Sequence, residues 1–429
     1  MKKWFVLTIV AVLFGTPAVL GAQETPLPII PGRIAYIGSD YNVYLLAPEE
    51  NSQLALTDDA GIVEDVLRFY QLPTWSTDGR LAYFATAVTR AGAVATEVFV
   101  SADGNEGESV YLGDNEVFNY AYWSPQNCAA SETCRDLAVL LGNQEAGGLL
   151  VELIRAGIEE VTSQAIGAGA PFYYSWSPDG TRMLLQRNGT RMDIYDVATE
   201  GISDALPQTP GTFFAPAWSP VDDRLLIGVR GEDGESTDLV IIANEETHTL
   251  VEGLTGVAYF MWSPDGNCIA YMDVQNRDRL GRLFVLDTVT GETVARSASS
   301  NVLAFFWSPN SDQIAYVATA ASPGSFNAKA QYAPALQGSA DLAWSVLDVD
   351  NGAVRNFGTF IPTEEMAYLL TYFDQFAQSH RLWSPDSRHL LYSEVTANNQ
   401  AMISLIDTTQ EVSVPLVIAE GVVGVWSFN

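Results

Sequence analysis

Trp176-Ser177-Pro178-Asp179-Gly180, followed by the apolar run MLLQ at 183–186, is the stretch that decides how this chain folds. Ser-Pro-Asp-Gly suits a type I turn, with Pro presetting φ at the second position, Asp tolerated at the third and Gly at the fourth. The apolar run after it reads as a buried strand. The same sentence recurs. A Trp-Ser pair closes a short aromatic-rich run at Trp75, Trp123, Trp176, Trp218, Trp262, Trp307, Trp383 and Trp426, with successive gaps of 48, 53, 42, 44, 45, 76 and 43 residues. Self-similarity at this period marks a repeat architecture, and its length is that of a four-stranded propeller blade with its turns.

Each unit supplies the strands. LAYFA at 81–85, LLIGV at 225–229, IAYM at 269–272, IAYV at 314–317 and LLYS at 390–393 follow their turns, and a second hairpin comes after each, as in FVLDTVTGETV from Phe284 and SLIDTTQEV from Ser404. Asp, Asn or Gly sits where the backbone must reverse. The chain ends complement each other: Trp426-Ser427-Phe428-Asn429 is the first half of a repeat, and Pro31-Gly32-Arg33-Ile34-Ala35-Tyr36 is the second half, matching Asp78-Gly79-Arg80-Leu81-Ala82-Tyr83. The pattern predicts an all-β fold, one eight-bladed β-propeller over 32–429, closed by pairing of the N- and C-terminal strands so that no inner strand edge is left open. With 48% apolar and 17% charged residues, the chain has ample core for a single domain.

Residues 1–22 stand outside the repeat. Lys2 and Lys3 precede an apolar run from Trp4 to Leu20, and Gly21 and Ala22 offer a cleavage point, the layout of an export signal. A retained anchor is the rival reading, opposed by the short run and by Pro17. Residues 23–31 form a Pro-rich lead. After cleavage no membrane span is expected, and the destination is the periplasm or the outside of the cell. Cys128 and Cys134 bracket a short loop that an oxidising compartment would close as a disulfide, with two unpaired thiols as the alternative, while Cys268 reads as a small buried apolar residue. The 52 acidic residues against 21 basic give −31, and −33 without Lys2 and Lys3. Nucleic acid and anionic membrane surfaces would repel such a chain.

The WSPDG turn, its apolar strand and the D-x-x-x-G hairpin resemble the repeat of TolB-type propellers, a repeat also found in the propeller domains of prolyl-oligopeptidase-like peptidases. The resemblance covers about 390 residues. It implies that the strand before each WSPDG turn is the innermost of its blade. TolB carries a separate N-terminal α/β domain on a six-bladed ring and contacts a peptidoglycan-associated lipoprotein, and the peptidases carry an α/β-hydrolase domain. Here nine residues separate the leader from the first repeat, the repeat number is eight, and no hydrolase domain is expected.

Motifs of catalysis are missing from the sequence: there is no G-x-S-x-G, no H-E-x-x-H, no P-loop and no Cys-x-x-Cys. His248, His380 and His389 fall at unrelated points of the repeat. Asp348, Asp350, Asn351 and Gly352 resemble the start of a calcium loop, but Thr359 stands where a bidentate Glu is needed. No cofactor or metal is expected.

Two departures from the repeat are the functional candidates. Between Trp307 and Trp383 lie about 30 extra residues, in an Ala/Ser/Gly-rich stretch at 318–342 and in PTEEMAYLLTYFDQFAQSH at 362–380. The second predicts a helix with Thr363 as N-cap, Glu364 and Glu365 in the first turn and an apolar face of Met366, Leu369, Leu370, Phe373 and Phe376. Asp374 and Gln375 are expected to look outward. Such a helix either caps one blade or serves as a lid or docking element. The other candidate is the aromatic run before the tryptophans. Tyr120, Tyr173 and Tyr259 share the third position before Trp and, with His380 and Arg381, form a candidate ligand-binding rim at the channel mouth, unless alternation buries them between blades. The expectation is a non-enzymatic scaffold that binds an envelope or extracellular protein, a peptide or a glycan. The alternative is a glycan-active hydrolase or lyase with its site in the channel, which requires paired carboxylates on channel-facing strands.

Overall fold

The computed structural model describes residues 29–128, 131, 133–143, 145–156, 161–274, 279–320 and 341–429. The leader, most of the Pro-rich lead and most of the 318–342 stretch lie outside the described residues. What is described is an antiparallel β-propeller with few helical residues. No helix among the described residues is long and apolar enough to cross a membrane.

One register repeats throughout. Each Trp of the Trp-Ser pairs sits opposite the first apolar residue after its turn: Trp75 faces Leu81, Trp123 Leu137, Trp176 Met183 and Trp218 Leu225. Trp262 faces Ile269, Trp307 Ile314, Trp383 Leu390 and Trp426 Ile34. The sheet built on Glu116–Trp123 continues through Arg135–Asn143 and Gly148–Ala156 to Thr162–Gly169. Its second strand is buried along most of its length and its fourth is largely open, which is why only the middle strands read as near-continuous apolar runs.

The chain ends meet. The first half of Leu416–Trp426 pairs with Ala401–Asp407, and its second half pairs with Ile34–Gly38 in the register Ile34–Trp426, Ala35–Val425, Tyr36–Gly424. Ser427 N–H donates to the Arg33 carbonyl (2.7 Å), and Arg33 N–H donates to the Ser427 hydroxyl (2.9 Å).

Neighbouring units are tied through the tryptophans. The indole N–H of Trp123 donates to Thr74 O (3.1 Å), that of Trp176 to Tyr122 O (3.1 Å), that of Trp262 to Ala217 O (3.2 Å) and that of Trp383 to Phe306 O (3.1 Å). Each acceptor is the residue just before the preceding unit's Trp. Arg33, Arg182 and Arg224 lay their guanidinium groups over Trp75, Trp218 and Trp262 at 4.6–4.9 Å, cation–π contacts between successive units.

The turn chemistry is as its composition implies. Ser177 Oγ donates to Asp179 Oδ1 (2.6 Å) and accepts from Arg182 N–H (2.9 Å), while Gly180, at φ +70°, donates to Ser177 O (2.9 Å). The Asp of the second hairpin works likewise: Asp348 Oδ1 accepts from Asn351 N–H (3.2 Å), as Asp287 Oδ1 does from Thr290 N–H (2.8 Å). These are Asx turns. Cys128 and Cys134 are joined as a disulfide with Cα atoms 5.3 Å apart. Cys268 is half-buried, and burial pushes its thiol up to about 11. The unit of Trp218 departs from the rest, because only Ala217 and Trp218 pair with Leu225 and Leu226. Pro216 cannot donate to a ladder and breaks that strand before Phe213 and Phe214.

Candidate functional site: a plugged channel and an open funnel

The insert at 362–380 folds as predicted locally and lands elsewhere than predicted. Helix α1 (Glu364–Thr371) starts with the Thr363 hydroxyl accepting from Met366 N–H at 3.2 Å, and a break at Tyr372 leads into the short helix α2 (Phe373–Phe376). Met366, Leu369, Leu370, Phe373 and Phe376 are all buried. The insert that carries them is held by residues of several units rather than by one blade. Thr363 donates to Val422 O, Tyr368 OH to Asn119 O (3.4 Å), Gln378 Nε2 to Pro216 O (3.2 Å) and Thr74 Oγ1 to Ser379 O (3.5 Å). Phe373 packs on Tyr259 and Phe305, with ring centroids 5.2 and 5.0 Å away. The insert therefore occupies the axis, running from the side away from the WSPD turns toward the side that bears them, where it joins Trp383.

Asp374 and Gln375 accordingly do not look outward; they are 1% and 2% exposed. Gln375 behaves as one more peptide group on a strand edge, accepting from Tyr174 N–H at Oε1 (3.2 Å) and donating from Nε2 to Tyr174 O (2.9 Å). Asp374 Oδ2 accepts from Ala215 N–H (3.0 Å), while Oδ1 has no partner among the described residues. Burial raises the Asp374 carboxyl to about 6, against the pull of the Ala215 N–H and of Arg279.

A raised acid binds its proton more tightly in the folded state, so the stability this gives is full below the unfolded value near 4 and is lost as pH rises through 6. A difference of about two units corresponds to about 3 kcal/mol. Asp374→Asn keeps an oxygen for Ala215 and removes the buried charge. Its urea midpoint is expected to match the parent near pH 4 and to exceed it by the equivalent of about 2–3 kcal/mol at pH 8. Parallel pH profiles of the two proteins would disprove this.

Tyr120 and Tyr259 hold the plug instead of forming an open rim. Tyr120 and Tyr259 are each 2% exposed and Tyr173 is half-buried. Tyr120 OH donates to Gln375 O (3.0 Å) and accepts from Ser379 OH (2.8 Å), and its ring meets Phe376 edge-on at 5.2 Å. Tyr173 stacks on Phe214 at 5.5 Å. A bare ring would expose Tyr120 and Tyr259; the insert covers them.

Past the plug, on the side of the WSPD turns, a funnel of about 300 Å³ stays open. Its wall includes Trp176, Trp218, Trp262, Trp307 and Trp383 and the prolines Pro125, Pro178, Pro220, Pro264 and Pro309. Tyr122, Ser175, Ala217, Met261, Phe306 and Leu382, each directly before its unit's Trp, also line it. Alternation puts this position on the same face as the third residue before Trp, one step nearer the mouth. That was the available signal for a site the aromatic pattern misplaced. The floor is Ala377, Gln378, His380 and Arg381. His380 is buried, with Nδ1 2.7 Å from Ser379 Oγ and no partner for Nε2 among the described residues. Burial lowers its ring to about 3, which keeps it neutral at physiological pH. Arg381 lies over the Phe428 ring at 3.9 Å with Nη1 3.5 Å from Phe428 O. Burial lowers its guanidinium to about 10.

The opposite end holds a second cavity of about 300 Å³ beside Tyr41, Glu364, Glu365 and Tyr368. Tyr41 OH donates to Glu365 Oε1 (3.0 Å), and burial raises the Glu365 carboxyl.

No family model and no curated protein matches the chain. Among solved structures, it is similar to the dihydro-haem d1 dehydrogenase NirN in complex with DHE, at 13% identity over 94% of this chain and 76% of that one, with a TM-score of 0.54. It is similar also to a eukaryotic initiation factor, at 12% identity over 92% and 98% of the two chains, with a TM-score of 0.51. TolB from Acinetobacter baumannii aligns at 14% identity over 84% and 82%, with a TM-score of 0.38. At these identities the likeness is one of fold alone.

Proposed function

We propose that this protein is an exported, TolB-like, eight-bladed β-propeller that acts without catalysis as a binding scaffold in the cell envelope or outside the cell, and that it binds through the funnel on the face of its WSPD turns. Eight Trp registers, the contacts of one insert with residues shortly before seven of the tryptophans and the pairing of Ile34–Gly38 with Leu416–Trp426 support a closed ring of eight. The observation that carries the binding face is the asymmetry of the channel: the chain's own helix fills one part and leaves the other as an apolar, aromatic-walled funnel with polar groups on its floor, the composition of small-ligand and peptide sites.

The glycan-active alternative needs two carboxylates flanking the substrate. None of the described residues lining the funnel is Asp or Glu, which favours binding over hydrolysis there. The test is a photo-crosslinking amino acid placed at Thr77 or Pro220 on the funnel rim, compared with one at Glu49 or Glu50 on an outer edge, in cells that make the protein. Specific adducts from the rim positions alone are expected. Adducts from the outer edge alone would move the binding face elsewhere.

A further inference from the structure

Arg381 is a cation without a counter-ion. Among the described residues no carboxylate lies within 4 Å of its guanidinium, although the chain holds 52 Asp and Glu, and although Arg182 and Arg224, which lie over the funnel's Trp218 and Trp262, each have an acidic partner. A guanidinium taken largely out of water costs free energy unless it is paired and hydrogen-bonded. What Arg381 has instead is one aromatic face and one carbonyl oxygen, both from Phe428. Three further observations converge on the same floor. Tyr122 lines the same funnel as Arg381, and its hydroxyl has no hydrogen-bond partner among the described residues. His380, 1% exposed, keeps an unpartnered Nε2. The walls above are indole and proline rings.

We propose that the funnel binds a small monocarboxylate with a flat apolar body, its carboxylate on the Arg381 guanidinium and the Tyr122 hydroxyl and its body between the tryptophan and proline rings. The guanidinium fork matches a carboxylate in a bidentate manner, and such charge-assisted bonds are about twice as strong as neutral ones. A single cation matches a single negative charge; phosphate would bring nearly two against one arginine and a neutral imidazole. The apolar wall sets the rest of the ligand, since rings stack on rings and a cavity of about 300 Å³ is at the small end of ligand sites. The charge of −31 repels anions at a distance, so recognition rests on contact with Arg381 rather than on steering.

The inference rests on the reading of the funnel as the binding face. The test is isothermal titration of the full chain with 3-phenylpropionate and with 3-phenylpropionamide, which have the same shape and differ in charge. The acid is expected to bind at least about tenfold more tightly, a difference of about 1.4 kcal/mol. Arg381→Gln should abolish that preference while keeping the amide's affinity, and Arg381→Lys should restore part of it. Equal affinities for acid and amide would overturn the carboxylate assignment and leave the funnel reading standing. No heat from either probe at about 10 mM would overturn the assignment too, with the rim crosslinks then judging the funnel alone. Should Arg381→Gln fail to fold in a thermal melt, the acid-to-amide ratio of the unaltered protein and of Tyr122→Phe, where it should fall about three- to tenfold, decides.

Discussion

Trp426→Ala is expected to lower the unfolding free energy by about 3–5 kcal/mol, the range for a large aromatic removed from a core. Trp426 is fully buried among Ile30, Ile34, Tyr36, Leu391, Ile403 and Leu405. Its indole N–H has no partner among the described residues, so the loss comes from packing and from the cavity left behind. The neighbours that would have to close that cavity are strand residues held in register by Ile34–Trp426 pairing and by Trp426 N–H on Arg381 O (2.8 Å); they relax little. The cost also falls at the join between residues that are hundreds of positions apart in sequence, where few local contacts compensate. Urea titration is the measurement, with Val289→Ala, at 91% exposed, as the control expected to stay within about 0.5 kcal/mol. A Trp426→Ala loss below about 1 kcal/mol would mean that the C-terminal strand is an accessory and that the ring closes otherwise.

The strands and turns were legible because every copy of the repeat states the same local rule. Pro178, Asp179 and Gly180 specify a turn regardless of what surrounds them, and period-two or continuous apolar runs specify strands. Thr363 as a cap and the spacing of Met366, Leu369, Leu370, Phe373 and Phe376 are likewise local, and the helix they predict is there. The direction of Asp374 and Gln375 was not legible. Polarity argues for solvent, but their partners are Ala215 and Tyr174, 159 and 201 residues away, and no pattern within the insert announces them. The aromatic run was half legible in the same way. Alternation puts the third and first residues before each Trp on one face; only the position of the plug decides that Tyr120 is covered and Tyr122 looks into the funnel. Arg381 stands where other units carry Tyr174, Phe260 and Phe305, and its lack of a counter-ion is visible only once the neighbours are in place.

Phe373→Ala is expected to cost about 3–5 kcal/mol as well, and this separates a plug from a lid. Phe373 is 1% exposed and sits at the centre of the ring-facing contacts, with Tyr259, Phe305 and Phe306 at centroid distances of 5.2, 5.0 and 6.2 Å. A lid that opens to admit ligand would be bound weakly enough to move, and truncating its anchor would change ligand affinity more than stability. A plug that completes the core does the reverse. The polar ties reinforce this: Gln375 satisfies both backbone groups of Tyr174, so withdrawing the insert would leave a buried N–H and C=O exposed to nothing else in the ring. A double-mutant cycle between Phe373 and Tyr259 should give a coupling of about 0.5–1.5 kcal/mol beyond area burial, since a T-shaped or tilted ring pair is lost only once. If Phe373→Ala melted like the parent while binding of a funnel ligand changed, the insert would be a gate, and the channel, with Tyr120, Tyr173 and Tyr259 along it, would again be a candidate path for ligand.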